Sequence, residues 1–331
     1  MKIIVDCFGG DHAPLEILKG SLMAAKEFGV QILLTGRETQ IRRCAQENGL
    51  DLSGTEIADC PDVVTMHDSP RSVLKEKKDS SMALGFRLLN EGAGDAFVSA
   101  GNTGALTVGA TLITKRIPGV IRPAIASVMP SAKTPFVLMD CGANAQCRAE
   151  MLVQFGRIGS LYMQKIFGLA SPRVALANNG AEAEKGTPLQ QEAYALLQES
   201  GLNFTGNIEG RDIPFGAADV VVADGFSGNL ILKTYEGTAK ALMGCIKDVF
   251  THNLRTKLAY LSVKDQMDKL KQQFDYKEYG GAVILGVKKP VVKAHGSADA
   301  RTFKNAIRQA VLFLQNDLTG EIETMLKGEA H

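Results

Sequence analysis

Short apolar runs alternate with amphipathic stretches along most of the chain. Val30-Gln31-Ile32-Leu33-Leu34, Asp95-Ala96-Phe97-Val98, Phe136-Val137-Leu138-Met139, Arg173-Val174-Ala175-Leu176 and Asp219-Val220-Val221-Val222 lack the in-out polarity of a half-exposed strand. They fit strands of a parallel sheet, which helices cover on both faces. The first six residues, Met1 to Asp6, enter such a run at once. Helical periodicity fills the intervals at Leu15 to Phe28, Arg37 to Asn48, Met82 to Glu91, Met151 to Phe167 and Leu189 to Ser200. Strands alternating with helices in this way predict a mostly parallel α/β sheet flanked by helices.

The C-terminal quarter departs from the alternation. From Phe226 to Leu270 the pattern is almost wholly helical, with a break near His252-Asn253. Two consecutive helices do not fit a strand-helix rhythm, so a helical protrusion over residues 240–275 is expected within a single catalytic unit spanning 1–331. A short β return (Val283 to Leu285, then Val291-Val292) and a last helix from Ala298 to about Leu318 close the chain. Ala96 to Thr114 holds nineteen consecutive uncharged residues, but with Ser99, Asn102, four Thr and three Gly it is too polar for a bilayer core.

Composition narrows the function classes. At about 150 residues per domain, 331 residues suit two domains or one large α/β unit. The 45% hydrophobic content is that of a globular chain. Aromatic residues are only 6%, with no Trp, which argues against a base-stacking nucleic-acid platform. The N-terminus leaves no room for a signal peptide, and six scattered cysteines without a CxxC pair read as reduced thiols, so a cytoplasmic location is expected. Net charge is +1, yet residues 240–315 carry fourteen Lys/Arg against six Asp/Glu, a local +8. That face is expected to meet acidic partners.

The candidate chemistry lies in the loops at the strand ends. Six of them share one character: Gly9-Gly10-Asp11-His12-Ala13-Pro14, Ala100-Gly101-Asn102-Thr103-Gly104, Asp140-Cys141-Gly142-Ala143-Asn144, Asn178 to Thr187, Asp224 to Asn229, and Ala294-His295-Gly296-Ser297. Glycine lets backbone approach a ligand, Asn, Ser and Thr add short polar arms, and helix N-termini favour anions. Converging on the carboxyl rim of one parallel sheet, they predict a phosphate or oxyanion site. Neither a cofactor nor a metal is expected. The only GxG, Gly92-Ala93-Gly94, precedes a strand, and Gly180 to Thr187 transposes the Lys and Gly of a P-loop. HExxH and paired-cysteine spacings are missing, and Cys141 fits small-residue packing better than a nucleophile.

These loops resemble those of the bacterial phosphate acyltransferases of phospholipid synthesis (PlsX type). The likeness rests on GGDHAP at Gly9–Pro14, SAGNTGA at Ser99–Ala105, Arg122-Pro123-Ala124, Asp140 to Asn144, Ser171 to Val174, Lys185-Gly186, Asp224 to Asn229, Tyr279 to Ala282 and Lys293 to Ser297. It extends from Met1 to about Leu318. Cys7-Phe8 and Cys141 stand where the family often has Ala-Met and Val, and Ala181-Glu182-Ala183 replaces a more polar run.

The resemblance implies a three-layer αβα sandwich like the isocitrate and isopropylmalate dehydrogenases, and a homodimer. It implies attack of inorganic phosphate on the thioester of a long-chain acyl-acyl carrier protein. The acyl phosphate product then goes to a membrane glycerol-3-phosphate acyltransferase. Phosphate is already a competent nucleophile, so the enzyme must supply orientation and charge stabilisation. Lys185, Asn229 and His12 are the expected catalytic residues; as alternatives they are a solvated loop lysine, a helix cap and a turn histidine. Gly10, Asp11, Asn102, Thr103, Gly104, Asn144, Ser227, Gly228, His295 and Ser297 are expected around the phosphate, with Asp11, Asp140 and Asp224 orienting loops. Leu258, Ala259, Tyr260 and Leu261 form either a dimer-packing stripe or a tip entering an anionic membrane surface beside Arg255, Lys257 and Lys264. The competing functions are an acyl-CoA phosphotransacylase and a non-catalytic lipid or carrier-protein binding module.

Overall fold

The structure, a computed structural model, describes residues 1–328, the Tyr276 side chain excepted. One 11-stranded sheet runs through it. In chain order the strands are β1 (Lys2–Asp6), β2 (Gln31–Gly36), β3 (Thr55–Asp59), β4 (Ala96–Ser99), β5 (Ala124–Met129), β6 (Phe136–Met139), β7 (Val174–Asn178), β8 (Phe204–Glu209), β9 (Val220–Val222), β10 (Gly281–Leu285) and β11 (Val291–Ala294). Their spatial order is β3-β2-β1-β4-β11-β10-β5-β6-β9-β7-β8. The helices are α1 (Leu15–Phe28), α2 (Glu38–Glu47), α3 (Ser81–Glu91), α4 (Thr103–Gly109), α5 (Ala149–Phe167), α6 (Pro188–Gln198), α7 (Gly225–Thr251), α8 (Leu254–Gln273), α9 (Ala300–Gln315) and α10 (Leu318–Gly328).

The expected elements are present, and the three layers arise from strand alternation. Ile3 and Val5 of β1 point into one core with Ile17, Leu18, Phe155 and Phe303 from α1, α5 and α9. Ile4 points the other way, toward Phe86, Phe97 and Leu106 of α3, β4 and α4. Successive residues of a strand face opposite sides, so a fully apolar run needs helices on both. Phe86 and Phe97 meet edge-to-face, centroids 4.9 Å apart.

One expectation is corrected: the strand ends do not share a single rim. β3, β2, β1, β4 and β11 are mutually parallel, but β10 runs antiparallel to β11, and β5 is antiparallel to both β10 and β6. β6, β9, β7 and β8 therefore point opposite to the first block. Loops after β1, β4 and β11 leave the sheet in one direction, and loops after β6, β7 and β9 in the other. The helix predicted to end near Leu318 also stops earlier: Asp317, at φ 43°, turns the chain between α9 and α10.

α7 reconciles the two loop groups. It packs Ile231, Leu232 and Tyr235 against the α3/α4 side of the sheet, then continues outward. Its 27 residues span about 40 Å, and only Gly225 and Gly228 are buried. α8 has no buried residue and returns along α7, with Phe250 and Tyr260 stacked edge-to-face at 5.3 Å. Asn253 caps α8 by accepting from the Thr256 N–H. Leu254, Leu258 and Leu261 stay exposed. Among the described residues, no helix is long and apolar enough to cross a membrane.

Candidate active site

The first loop group is tied together from below by Asp6. Its buried carboxylate accepts from Ser81 Oγ at 2.6 Å, Ser99 Oγ at 2.7 Å and the Phe8 N–H at 3.3 Å. Burial pushes this carboxyl up, and the hydrogen bonds pull it only part of the way back. Gly10 adopts φ 102° and lies so close to the β11 loop that a Cβ would sit 2.9 Å from the Gly296 carbonyl. The Asp11 N–H donates to that same carbonyl at 2.8 Å. Asn102 caps α4 by accepting from the Ala105 N–H, and its Nδ2 donates to the Thr65, Met66 and Asp68 carbonyls. Gly104 is held against Pro70.

The second group is built around Asp140. Its carboxylate, buried at the end of β6, accepts from the N–H groups of Ile125, Gly142, Ala143 and Asn144 and from Asn144 Nδ2. Burial still leaves this acid above its ordinary range. The Asn144 carbonyl accepts from the Gly225 N–H at 2.8 Å. Asp224 then caps α7, accepting from the Phe226 and Ser227 N–H groups and from Ser227 Oγ. Gly228 rests directly on the Asp140 carbonyl. The acidic residues of these loops fix α7; Asn144 and Ser227 are drawn into that scaffold.

Between the α7 face and the middle strands lies a cavity of about 400 Å³. Asn229, Leu232, Lys233 and Glu236 of α7 form one wall, a spacing that repeats on one side of a helix. β5, β10 and β11 form the floor, and Asp11, Thr103, His295 and Ser297 close the rim. From Asn229 to Glu236 the helix rises about 10 Å, carrying the polar wall from one loop group to the other. Lys233 Nζ pairs with Glu236 Oε2 at 2.8 Å, and His295 Nε2 lies 3.7 Å from the same oxygen. Burial works to raise the Glu236 carboxyl, but His295 and Lys233 outweigh it and hold it below its ordinary value. His295 Nδ1 is 3.0 Å from Ser297 Oγ.

Two residues on the floor matter chemically. Lys293, 9% exposed in β11, donates from Nζ to the Ala100 carbonyl at 3.2 Å and to the Ala294 carbonyl. Burial, with Lys233 adding to it, pushes its pKa down to about 8 against the pull of Asp11 and Asp6. Cys141 also faces the cavity; its Sγ donates to the Leu138 carbonyl, and burial drives the thiol well above its ordinary value. Such a thiol is a poor nucleophile. Among the described residues, no group of three or more His, Cys, Asp or Glu is placed to hold a metal ion.

Lys185 lies elsewhere. It is exposed, on the loop after β7, where Asn178 Nδ2 donates to its carbonyl at 3.1 Å. This loop edges a second pocket of about 470 Å³, lined by Asn178, Asn179, Gly186, Thr187, Ser227 and Ile231. An apolar groove of about 520 Å³ adjoins it, sharing Gly210 and Ile231 with it and continuing over Leu230, Tyr235, Leu242 and Phe274. The α7 N-terminus thus stands between this cavity on one side and the Lys185 loop and groove on the other. His12 is exposed in the first loop, outside the residues that line the cavity. Sequence reasoning missed Lys233, Glu236 and Lys293 as site residues. The first two share a helical stripe with Asn229, and a lysine closing the apolar run Val291-Val292 was the signal for the third.

The fold is shared with solved acyl- and phosphate-handling enzymes. A phosphotransacetylase from Streptococcus pyogenes superposes with a TM-score of 0.64 at 17% identity, covering 96% of this chain and 94% of that one. A putative 4-hydroxythreonine-4-phosphate dehydrogenase from Salmonella typhimurium gives 0.51 at 13%, covering 94% and 98%. These likenesses show the fold alone, a three-layer α/β sandwich. The family model described as fatty acid synthesis protein matches residues 1–320. The phosphate acyltransferase of Alkaliphilus oremlandii is 44% identical over 322 residues, 97% of this chain and 96% of the relative. The chain belongs to this family, the PlsX-type phosphate acyltransferases, and is an acyltransferase enzyme.

Proposed function

We propose that the protein transfers a long-chain acyl group from acyl-acyl carrier protein to inorganic phosphate, by direct attack of phosphate on the thioester. The observation that carries this reading is the cavity under α7, of about 400 Å³, which brings Asn229, Lys233, Lys293 and His295 to one space. The one thiol facing it, Cys141, is suppressed by burial, which supports attack by phosphate itself without an acyl-enzyme. Asn229 holds phosphate or the thioester carbonyl. Lys185, on a flexible stem across the α7 N-terminus, meets the developing oxyanion. The adjoining apolar groove takes the acyl chain, its occupant chosen by continuity with the pocket beside the Lys185 loop. His12 serves the first loop as a phosphate contact.

The same reading gives the α7-α8 pair two tasks. Its apolar stripe packs a homodimer, while Leu258, Ala259, Tyr260 and Leu261 rest on anionic lipid at the cytoplasmic face of the membrane, delivering acyl phosphate to a glycerol-3-phosphate acyltransferase. The basic 240–315 surface suits an acidic carrier protein.

The test compares acyl-acyl carrier protein with acyl-CoA at equal chain length and low salt, with the product identified. Acyl phosphate from the carrier protein at much the higher rate is expected. Preference for CoA supports the phosphotransacylase alternative, and no product from either supports a binding module. Lys185→Ala should remove most turnover; unchanged production would refute its assignment.

A further inference from the structure

Lys293 is the unusual group in this molecule. It sits on the inner strand β11, is almost fully buried, and among the described residues has no carboxylate in ion-pair contact. Buried lysines are rare because an ammonium without a counter-ion is costly to desolvate. Its two bonds go to main-chain carbonyls beside the cavity, Ala100 in the loop after β4 and Ala294 at the end of β11 itself. An ammonium has three donors, so one is left, and Lys293 lines the cavity. The charged groups facing it are Lys233 from α7 and Asp11 and Asp6 from the first loop group. Glu236, which could have neutralised it, is committed to Lys233 and His295. The site therefore holds a positively inclined donor whose missing partner is an anion entering the cavity.

We propose that Lys293 binds the incoming phosphate through Nζ and carries the single proton that the transfer must move. This rests on the reading of the protein as an acyl-thioester:phosphate transferase. The reacting phosphate is HPO₄²⁻ and the product acyl phosphate is a dianion, so one proton must pass from phosphate to sulfur. An oxygen of HPO₄²⁻ forms a bond to the thioester carbon, the carbon–sulfur bond breaks, and its electron pair leaves on sulfur. Lys293 as ammonium gives its proton to the thiolate, and the amine so formed takes the proton the phosphoryl oxygen releases. Atoms and charge balance without any co-reactant. An amine with a pKa of about 8 exchanges protons in both directions near neutrality, which an exposed lysine does not. Dianion binding favours the ammonium form, so phosphate binding should draw a proton from solvent.

The experiment measures acyl phosphate formation against pH for the wild type, Lys293→Arg and Lys293→Met. It is paired with calorimetric titration of inorganic phosphate in two buffers of different ionisation enthalpy. In the wild type, binding at pH 8 should take up about half a proton, and the rate should inflect near pH 8. Lys293→Arg keeps a charge that does not titrate; it should bind phosphate within several-fold yet lose about 100-fold or more in kcat, with no inflection. Lys293→Met should lose both phosphate affinity and proton uptake. An arginine variant with the wild-type rate and inflection overturns the inference, and so does wild-type phosphate binding without proton uptake, a result that depends on no variant folding. A wild type that makes no acyl phosphate from any thioester overturns instead the transferase reading beneath it.

Discussion

Replacing Gly228 with Ala puts a methyl group between the α7 N-terminus and the strand end that supports it. The added Cβ would fall 1.9 Å from the Asp140 carbonyl oxygen, where ordinary contact begins near 3.4 Å. Backbone faces backbone here, so no side chain can rotate away, and α7 must retreat by about 1.5 Å. That retreat pulls against the Asp224 cap, the Gly225–Asn144 bond and the five-donor cradle of Asp140. Overpacking of this kind costs about 1–3 kcal/mol, and losing a cap adds about 1 kcal/mol. In a chain of 331 residues each kcal/mol lowers the Tm by roughly 1–2 °C. Asn229 is the next residue, and a misplacement of about 1 Å at a reacting centre costs about 100-fold in rate. Differential scanning fluorimetry and hydroxamate trapping of acyl phosphate measure the two effects. Gly237→Ala in the same helix is the control: its Cβ would meet nothing within 4 Å, and a helical Gly→Ala exchange stabilises by about 0.5–1 kcal/mol. A Gly228→Ala enzyme within twofold of the wild-type rate refutes the seating of α7 as described.

Two further perturbations probe α8 and the α9 cap. Leu258→Glu with Leu261→Glu removes two exposed leucines of α8 and should release the protein from anionic vesicles in a sedimentation assay while leaving catalysis in solution intact; persistent vesicle binding would exclude this tip as the anchor. Asp299 caps α9 through the Thr302 N–H and pairs with Lys277 at 2.9 Å. Partial burial opposes ionisation, but the bonds from Thr302 and Lys277 prevail and hold the carboxyl down at about 2, against 3.8 without them. A depressed carboxylate stabilises the fold above its unfolded pKa and loses that contribution as pH falls. Asp299→Ala should therefore lower stability by about 1 kcal/mol at pH 7. It should also flatten the decline between about pH 4 and pH 2, read as urea midpoints at each pH. A variant whose acid decline matches the wild type contradicts the assignment.

Much of the fold was legible because its strands are buried on both faces. Runs such as Val220-Val221-Val222 and Phe136 to Met139 announce themselves by lacking polar residues. The edge strands β3 and β8, with sequences TEIAD and FTGNIE, carry polar and glycine residues because an edge is half exposed, so no apolar run marks them. β5 was hidden by its small residues, and α4 by its Thr and Gly. Strand direction was invisible for a different reason: a buried strand has the same composition whichever way it runs, so the two opposed loop groups looked like one. The glycine-rich loops pointed to the site correctly in character. Yet Asn102 and Asn144 spend their amides on neighbouring carbonyls, and beside Asp11 the charges facing the cavity come from elements that pattern had assigned to structure, Lys233 and Glu236 on α7 and Lys293 on β11.

Everything proposed for the chemistry depends on the cavity beneath α7, floored by Lys293, being where the phosphate is held. Crystals of the protein grown with arsenate, a heavier analogue of phosphate, would locate the anion by its anomalous signal. Arsenate is expected in the cavity, within hydrogen-bond distance of Lys293 Nζ and beside Asn229. Arsenate bound at the Lys185 loop with the cavity empty would contradict that placement.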